Sequence, residues 1–255
     1  MNNTQLSITR SILFLVLGTG VLFYLIQGCK SQLPTPGSFG IYSLPTSYID
    51  NFETGNTEIN PNLLGSTGGF ALDATFAGNT IDNPFVLPGG PPGSYYDAQI
   101  FGTLTDQGNG QYPGFELEIF LNNGNYYTAT TFTGVMMDML IPAQSASGQA
   151  ENQVQVMRFN VAVARTQPVT ASPAGICTSG CYDHFGDNLS TTPSATWQHL
   201  TFPFSGMTPQ FAPLTPNTLS PTDLTQILYL EWLFSSNNVK GSYPISYQVD
   251  NVRFY

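Results

Sequence analysis

Apolar and polar residues alternate with a period of two along much of the chain beyond Tyr48, and nothing there carries a helical spacing of any length. Phe115, Leu117, Ile119 and Leu121 point one way, and Glu116, Glu118 and Phe120 the other, as in a strand with one face buried. Val135, Met137, Met139 and Ile141 alternate likewise with Met136, Asp138 and Leu140. So do Met157, Phe159, Val161 and Val163 with Arg158, Asn160 and Ala162. Further strands are predicted at Tyr48–Glu53, Tyr95–Leu104, Trp197–Phe204, Ile227–Phe234 and Tyr243–Tyr255, with Trp197 and Trp232 assigned to the core. Pro and Gly clusters such as Pro88–Gly93 and the segment Pro203–Pro221 separate them. Short strands divided by turn chemistry predict an all-β fold, an antiparallel β-sandwich, over residues 48–255.

The first thirty residues follow a different pattern. A polar start with one base, Arg10, runs into the apolar segment Ser11 to Ile26 and then Gln27-Gly28-Cys29, with no Asp or Glu before Asp50. This is the layout of a lipoprotein signal, predicting cleavage after residue 28 and a diacylglycerol on Cys29 that holds the chain to a membrane. The alternative is an uncleaved anchor, since about sixteen apolar residues approach the shortest spanning helix. Residues 29–47, with Pro34, Pro36 and Gly37, read as a flexible tether. Lys30 after the cysteine, in place of Asp, points to an outer membrane.

Six basic residues stand against sixteen acidic ones, for a net charge of −10. That balance excludes nucleic acid and anionic lipid surfaces as partners, because both require clustered Lys and Arg; a neutral ligand or a cation fits better. Charged residues make up only 9% of the chain, so its solubility rests on neutral polar side chains. With Cys29 assigned to lipid, Cys177 and Cys181 remain as a close pair in an oxidising compartment and predict a small disulfide loop. The alternative is a zinc pair with His184, which lacks a fourth ligand nearby.

Ile49-Asp50-Asn51-Phe52-Glu53-Thr54-Gly55 and Tyr247-Gln248-Val249-Asp250-Asn251-Val252-Arg253-Phe254 resemble the first and last strands of jelly-roll carbohydrate-binding modules. Proteins of the complex I intermediate-associated type share that galactose-binding-like fold, and Cys177 to Gly186 with Trp197 and Phe202 to Ser205 resembles a segment of its bacterial members. The resemblance implies that the end strands are neighbours and that a structural calcium ion lies between them, with Glu53 and Asp250 in the positions of its acidic ligands. Asn51 and Asn251 stand where acids often occur, which would lower the charge of such a site. The bland reading of the same pair is a hydrogen-bonded turn at Asp250 and a solvated Glu53.

A sugar groove needs aromatic faces and planar polar side chains. The polar-facing strand positions Asp138, Arg158, Asn160, Tyr229 and Glu231, with Tyr247 and the turn residues Tyr126 and Tyr127, are the candidate ligand set. A Tyr on a strand is more often half-buried packing than a sugar platform. The Tyr182-Asp183-His184-Phe185 loop is a second candidate, with Asp183 capping loop amides and Phe185 plugging the core as the structural alternative. No Gly-x-Ser-x-Gly elbow occurs to serve His184 or His199. Glu116 and Glu118 stand on one strand face roughly 6 to 7 Å apart, a spacing that paired-acid glycosidase chemistry could use. The chain reads as one that binds rather than reacts, its partner a glycan or, alternatively, an envelope protein.

Overall fold

The computed structural model describes residues 47–59, 68–73, 80–81, 85–109, 114–145, 148–189, 194–211, 214–236 and 239–255. The leader, Cys29 and nearly all of the tether lie outside the described residues. None of the described helices is long and apolar enough to cross a membrane.

Twelve strands are present among the described residues: β1 (Tyr48–Asp50), β2 (Gly69–Asp73), β3 (Thr80–Ile81), β4 (Phe85–Pro88), β5 (Tyr96–Asp106), β6 (Gly114–Phe120), β7 (Gly134–Leu140), β8 (Val156–Val163), β9 (Phe185–Asn188), β10 (Gln198–Pro203), β11 (Ile227–Ser235) and β12 (Gly241–Phe254). A seven-stranded sheet runs β10-β7-β12-β5-β3, with β1 paired to β12 and β4 to β5. A five-stranded sheet runs β2-β6-β11-β8-β9. Every pairing between strands is antiparallel. The end strands are neighbours, Tyr48 lying opposite Arg253.

The core fills the space between the sheets, with Ile100, Val135, Met137 and Val249 from one and Leu117, Phe159, Val161 and Trp232 from the other, all fully buried. Two contacts bind the layers directly: the Trp232 indole N–H donates to Met137 Sδ at 3.1 Å, and the Phe234 and Tyr247 rings stack at 4.3 Å. Burying a side chain of this size contributes roughly 1.5–3 kcal/mol. The alternation of β6 and β7 is as predicted, with odd positions buried and, beyond the buried first residues Gly114 and Gly134, even positions half-buried.

Several boundaries differ from the sequence reading. β1 stops at Asp50, because the Asp50 carboxylate accepts the Phe52 N–H at 2.6 Å and Phe52 turns to φ 55°. β2, β3, β4 and β9 have no counterpart in that reading; each spans at most five residues, too short for alternation to register. Trp197 lies just before β10, half-buried and outside the core, whereas Trp232 is in it. β8 and β11 depart most in their burial. Arg158, Asn160, Tyr229 and Glu231 occupy their polar phase yet are buried, because the chain after β8 and after β10 folds back over that face.

Candidate functional site

That covered face builds the site. Antiparallel pairing places Glu118 opposite Glu231 and Glu231 opposite Asn160, so a polar row crosses β6, β11 and β8. Carboxylate oxygens of Glu116, Glu118 and Glu231 lie within 4.8 Å of one another, a donor set chemically suited to a hard cation. The Asn160 amide donates to Glu231. Arg158 Nε donates to Asn160 Oδ1 at 2.9 Å, and its Nη2 donates to the carbonyls of Gly186 (2.7 Å) and Thr208. Arg158 thus ties two excursions of the chain to β8: residues 164–189, at the strand β9 that closes them, and residues 204–211. Burial lowers the Arg158 pKa, against the opposing pull of Asp183, Asp187 and Glu231.

Cys177 and Cys181 are disulfide-bonded and close a small loop in the first excursion. Zinc binding by this pair is thereby displaced. His184 has both ring nitrogens engaged, Nδ1 lying 2.7 Å from Thr166 Oγ1 and Nε2 2.9 Å from the Tyr229 hydroxyl. The Tyr229 hydroxyl donates in turn to Gln167 Oε1 at 3.1 Å. Burial presses the His184 pKa down to about 4, so the ring is neutral at ordinary pH. Phe185 is fully buried beneath the Arg165 guanidinium, 4.4 Å from its ring centre, as expected of a core plug. The Asp183 oxygens accept the backbone N–H groups of Gln210 (2.6 Å) and Phe211 (2.8 Å), joining the second excursion to the first.

Between the excursions and the sheet lies a pocket of about 310 Å³, lined notably by Glu116, Tyr182, Asp183, Gln210, Phe211 and Ser235. Tyr182 and Phe211 are each 63% exposed. Two aromatic rings therefore meet solvent beside a floor of carboxylate, amide and hydroxyl groups.

A second cluster lies on the seven-stranded sheet. Asp97 and Asp250 are fully buried, and one carboxylate oxygen of each has no hydrogen-bond partner. Glu53 Oε1 accepts the Ser94 hydroxyl (2.5 Å) and the Tyr95 N–H (2.8 Å). Gly89 and Gly90 pass so close that an added Cβ would meet Asp97 Oδ1 at 2.5 Å and Asp250 Oδ2 at 3.2 Å. Desolvation, with the charges of Glu53 and Asp97, raises the Asp250 pKa to about 7. Burial raises that of Asp97 too. Orphaned buried carboxylate oxygens under a glycine cradle are what a divalent cation would require, so Glu53, Asp97 and Asp250 fit calcium chemically.

The eight candidate ligand residues are not brought together. Tyr247 is fully buried against Phe234 in the core, leaving no ring face for a sugar. Tyr127 is half-buried and stacks on Phe254 at 5.5 Å, while Tyr126 is 40% exposed at its turn. Asp138 belongs to the other sheet, where it meets His199 Nδ1 at 2.8 Å and accepts the Asn251 amide at 2.9 Å. Arg158, Asn160, Tyr229 and Glu231 do share one face, but as buried supports beneath the pocket. The sequence reading missed Phe211, Gln210 and Asp97. Phe211 lies in the Pro-rich segment set aside as a separator, and Asp97 stands one position out of phase with the core residue Ala98.

No protein-family model matches the sequence, and no curated protein matches it. Among solved structures the chain is similar to the family 11 carbohydrate-binding module of the cellulosomal cellulase Lic26A-Cel5E of Clostridium thermocellum. Identity is 16%, coverage 81% of this chain and 92% of that chain, and the TM-score 0.49. It is similar to a family 30 carbohydrate-binding module (11% identity, 74% and 90% covered, TM-score 0.42). A third is CBM27-1 of Caldicellulosiruptor saccharolyticus, solved in complex with mannohexaose (15%, 81% and 94%, TM-score 0.41). The chain is a two-sheet antiparallel β-sandwich by its own strand pairings, and these likenesses are of fold.

Proposed function

We propose that the domain binds a glycan without transforming it, in the pocket over the five-stranded sheet. The observation that carries this reading is the exposure of Tyr182 and Phe211 beside hydrogen-bonding groups from Glu116, Gln210 and Ser235. Ring faces offer stacking to the apolar side of a pyranose, and planar polar groups bracket its hydroxyls. The pocket volume lies at the low end for small-molecule sites and suits one or two sugar rings. A glycan array with the full-length chain, compared with Tyr182→Ala and Phe211→Ala, tests it. Hits lost in both variants support the site, and hits unchanged in both refute it.

In the same proposal calcium is a structural ion held by Glu53, Asp97 and Asp250, where its two charges would offset two of the three carboxylate charges and fix the turn between β4 and β5. The leader is proposed to place the protein in a bacterial cell envelope, attached at Cys29 to a membrane, probed by palmitate labelling that Cys29→Ala abolishes. Docking of an envelope protein is the alternative function. Val169 and Ile176, 55% and 58% exposed on the same excursion, favour it, and a blank array together with retained partner capture would establish it.

A further inference from the structure

Resting on the reading of the pocket as a glycan site, we infer that acid releases its ligand: protonation of His184 detaches residues 177–184 from the sheet and takes the pocket wall apart, while the sandwich stays folded.

Residues 177–184 carry Cys181, Tyr182 and Asp183 of the pocket lining, and Asp183 also holds the Gln210 and Phe211 amides of the facing wall. Both walls therefore depend on where this segment sits. The His184 imidazole links it to β11, Nε2 lying 2.9 Å from the Tyr229 hydroxyl. Two backbone bonds add to the link, from the Cys177 N–H to the Gln167 carbonyl at 3.0 Å and from the Tyr182 N–H to the Thr166 carbonyl at 2.8 Å. Beyond the imidazole the chain is fixed independently, because β9 pairs with β8 and Arg158 holds the Gly186 and Thr208 carbonyls. A hinge between His184 and Phe185 thus separates a detachable segment from a fixed one. Tyr182 stands at φ 68°, a left-handed conformation that costs a non-glycine residue energy and is relieved on release.

Both ring nitrogens of His184 face hydroxyls, those of Thr166 and Tyr229, which exchange hydrogen bonds with the ring but carry no countercharge. The titratable groups around the ring are Tyr182 and Asp183 on its own segment and Tyr229 on β11. Behind them, Glu116, Glu118 and Glu231 act on Tyr229, and Asp183 acts on Arg158 of β8. Burial outweighs the pull of Asp183, so the attached ring takes up its proton near pH 4 and the released ring near 6.5. Attachment is therefore intact above pH 6.5 and is lost as pH falls toward 4.

Hydrogen exchange of the unliganded full-length chain at pH 7 and about pH 4.5, corrected for intrinsic rates, reads the release itself. The Tyr182, Gln210 and Phe211 amides should lose protection about fiftyfold more than those of β5 and β12, the factor set by the two proton affinities. A glycan array at the same two pH values, with the parent chain and His184→Gln, reads the consequence. Hits lost in acid by the parent and kept by the variant are expected. No loss of protection at residues 177–184, or an equal loss across both sheets, overturns the inference and leaves the glycan site standing. Hits lost in acid by parent and variant alike also overturn it, since His184 is then not the group that titrates. An array blank at both pH values, with protection lost in the segment alone, overturns the glycan reading and keeps the acid release. Exchange in the parent decides the release even where His184→Gln does not fold.

Discussion

His184 Nε2 lies 2.9 Å from the hydroxyl of Tyr229, so a residue of the disulfide-bearing excursion is joined to the central strand of the five-stranded sheet through a fully enclosed imidazole. Burial holds that imidazole near pKa 4, while the unfolded chain has the ordinary value of 6.5. A depressed folded pKa contributes stability that is intact above the unfolded value and is lost as pH falls toward the folded one.

Thermal or urea unfolding between pH 7 and pH 4 should therefore show stability decreasing from about pH 6.5 downward. The His184 share amounts to roughly 3 kcal/mol by pH 4, at about 1.4 kcal/mol for each pH unit separating the folded from the unfolded value. His184→Gln should lower stability at pH 7 and flatten the acid slope. A variant slope equal to that of the parent chain would remove His184 as the cause.

Calcium should raise Tm and a chelator lower it, with an effect near 2.7 kcal/mol when the ion is present at about a hundred times its dissociation constant. Asp97→Asn should abolish the calcium shift. In chelator it should also stabilise the chain, since one buried carboxylate no longer faces Asp250. A calcium shift that persists in Asp97→Asn would exclude Asp97 as a ligand.

Reduction should raise the intact mass by the two hydrogens of Cys177 and Cys181. Closing a loop this short is worth about 2 kcal/mol on the chain-entropy account. Because Cys181 and Tyr182 line the pocket, the double Ser variant should lose glycan affinity by more than it loses stability, readable by comparing calorimetry with Tm.

Tyr182→Ala and Phe211→Ala should each weaken binding by about 1 kcal/mol, roughly fivefold, and leave stability within about 0.5 kcal/mol, because both rings are largely solvent-exposed. Trp232→Ala should lower stability by about 3–5 kcal/mol through the cavity it leaves in the core. An exposed-ring variant that unfolds like Trp232→Ala would show that the ring packs instead of serving the pocket.

Legibility followed the range of the physics. Phe115 to Leu121 and Val135 to Ile141 could be read as strands because alternation is a local consequence of the pleat, and each face's partner is fixed by burial alone. The same rule, applied to Ile245, Tyr247 and Val249, already places Tyr247 in the core; it went astray only where a ring with a hydroxyl was read as a surface group. The pairing of Cys177 with Cys181 was also legible, being set by four residues of separation and by the compartment inferred from the leader.

Tertiary structure alone decided the rest. Arg158, Asn160, Tyr229 and Glu231 have polar phase in their strands, and nothing local tells that residues 164–189 and 204–211 return to bury them. Tyr182 and Phe211 stand 29 positions apart in sequence and share a pocket because Asp183 accepts the amides of Gln210 and Phe211. Glu53, Asp97 and Asp250 interact from opposite ends of the domain because β1 and β5 both pair with β12. The sequence by itself determined strand, core face, charge and cysteine chemistry, which depend on neighbours a few residues away. The pocket and the acidic cluster depend on which distant segments cover which face, and only closure of the sandwich specifies that.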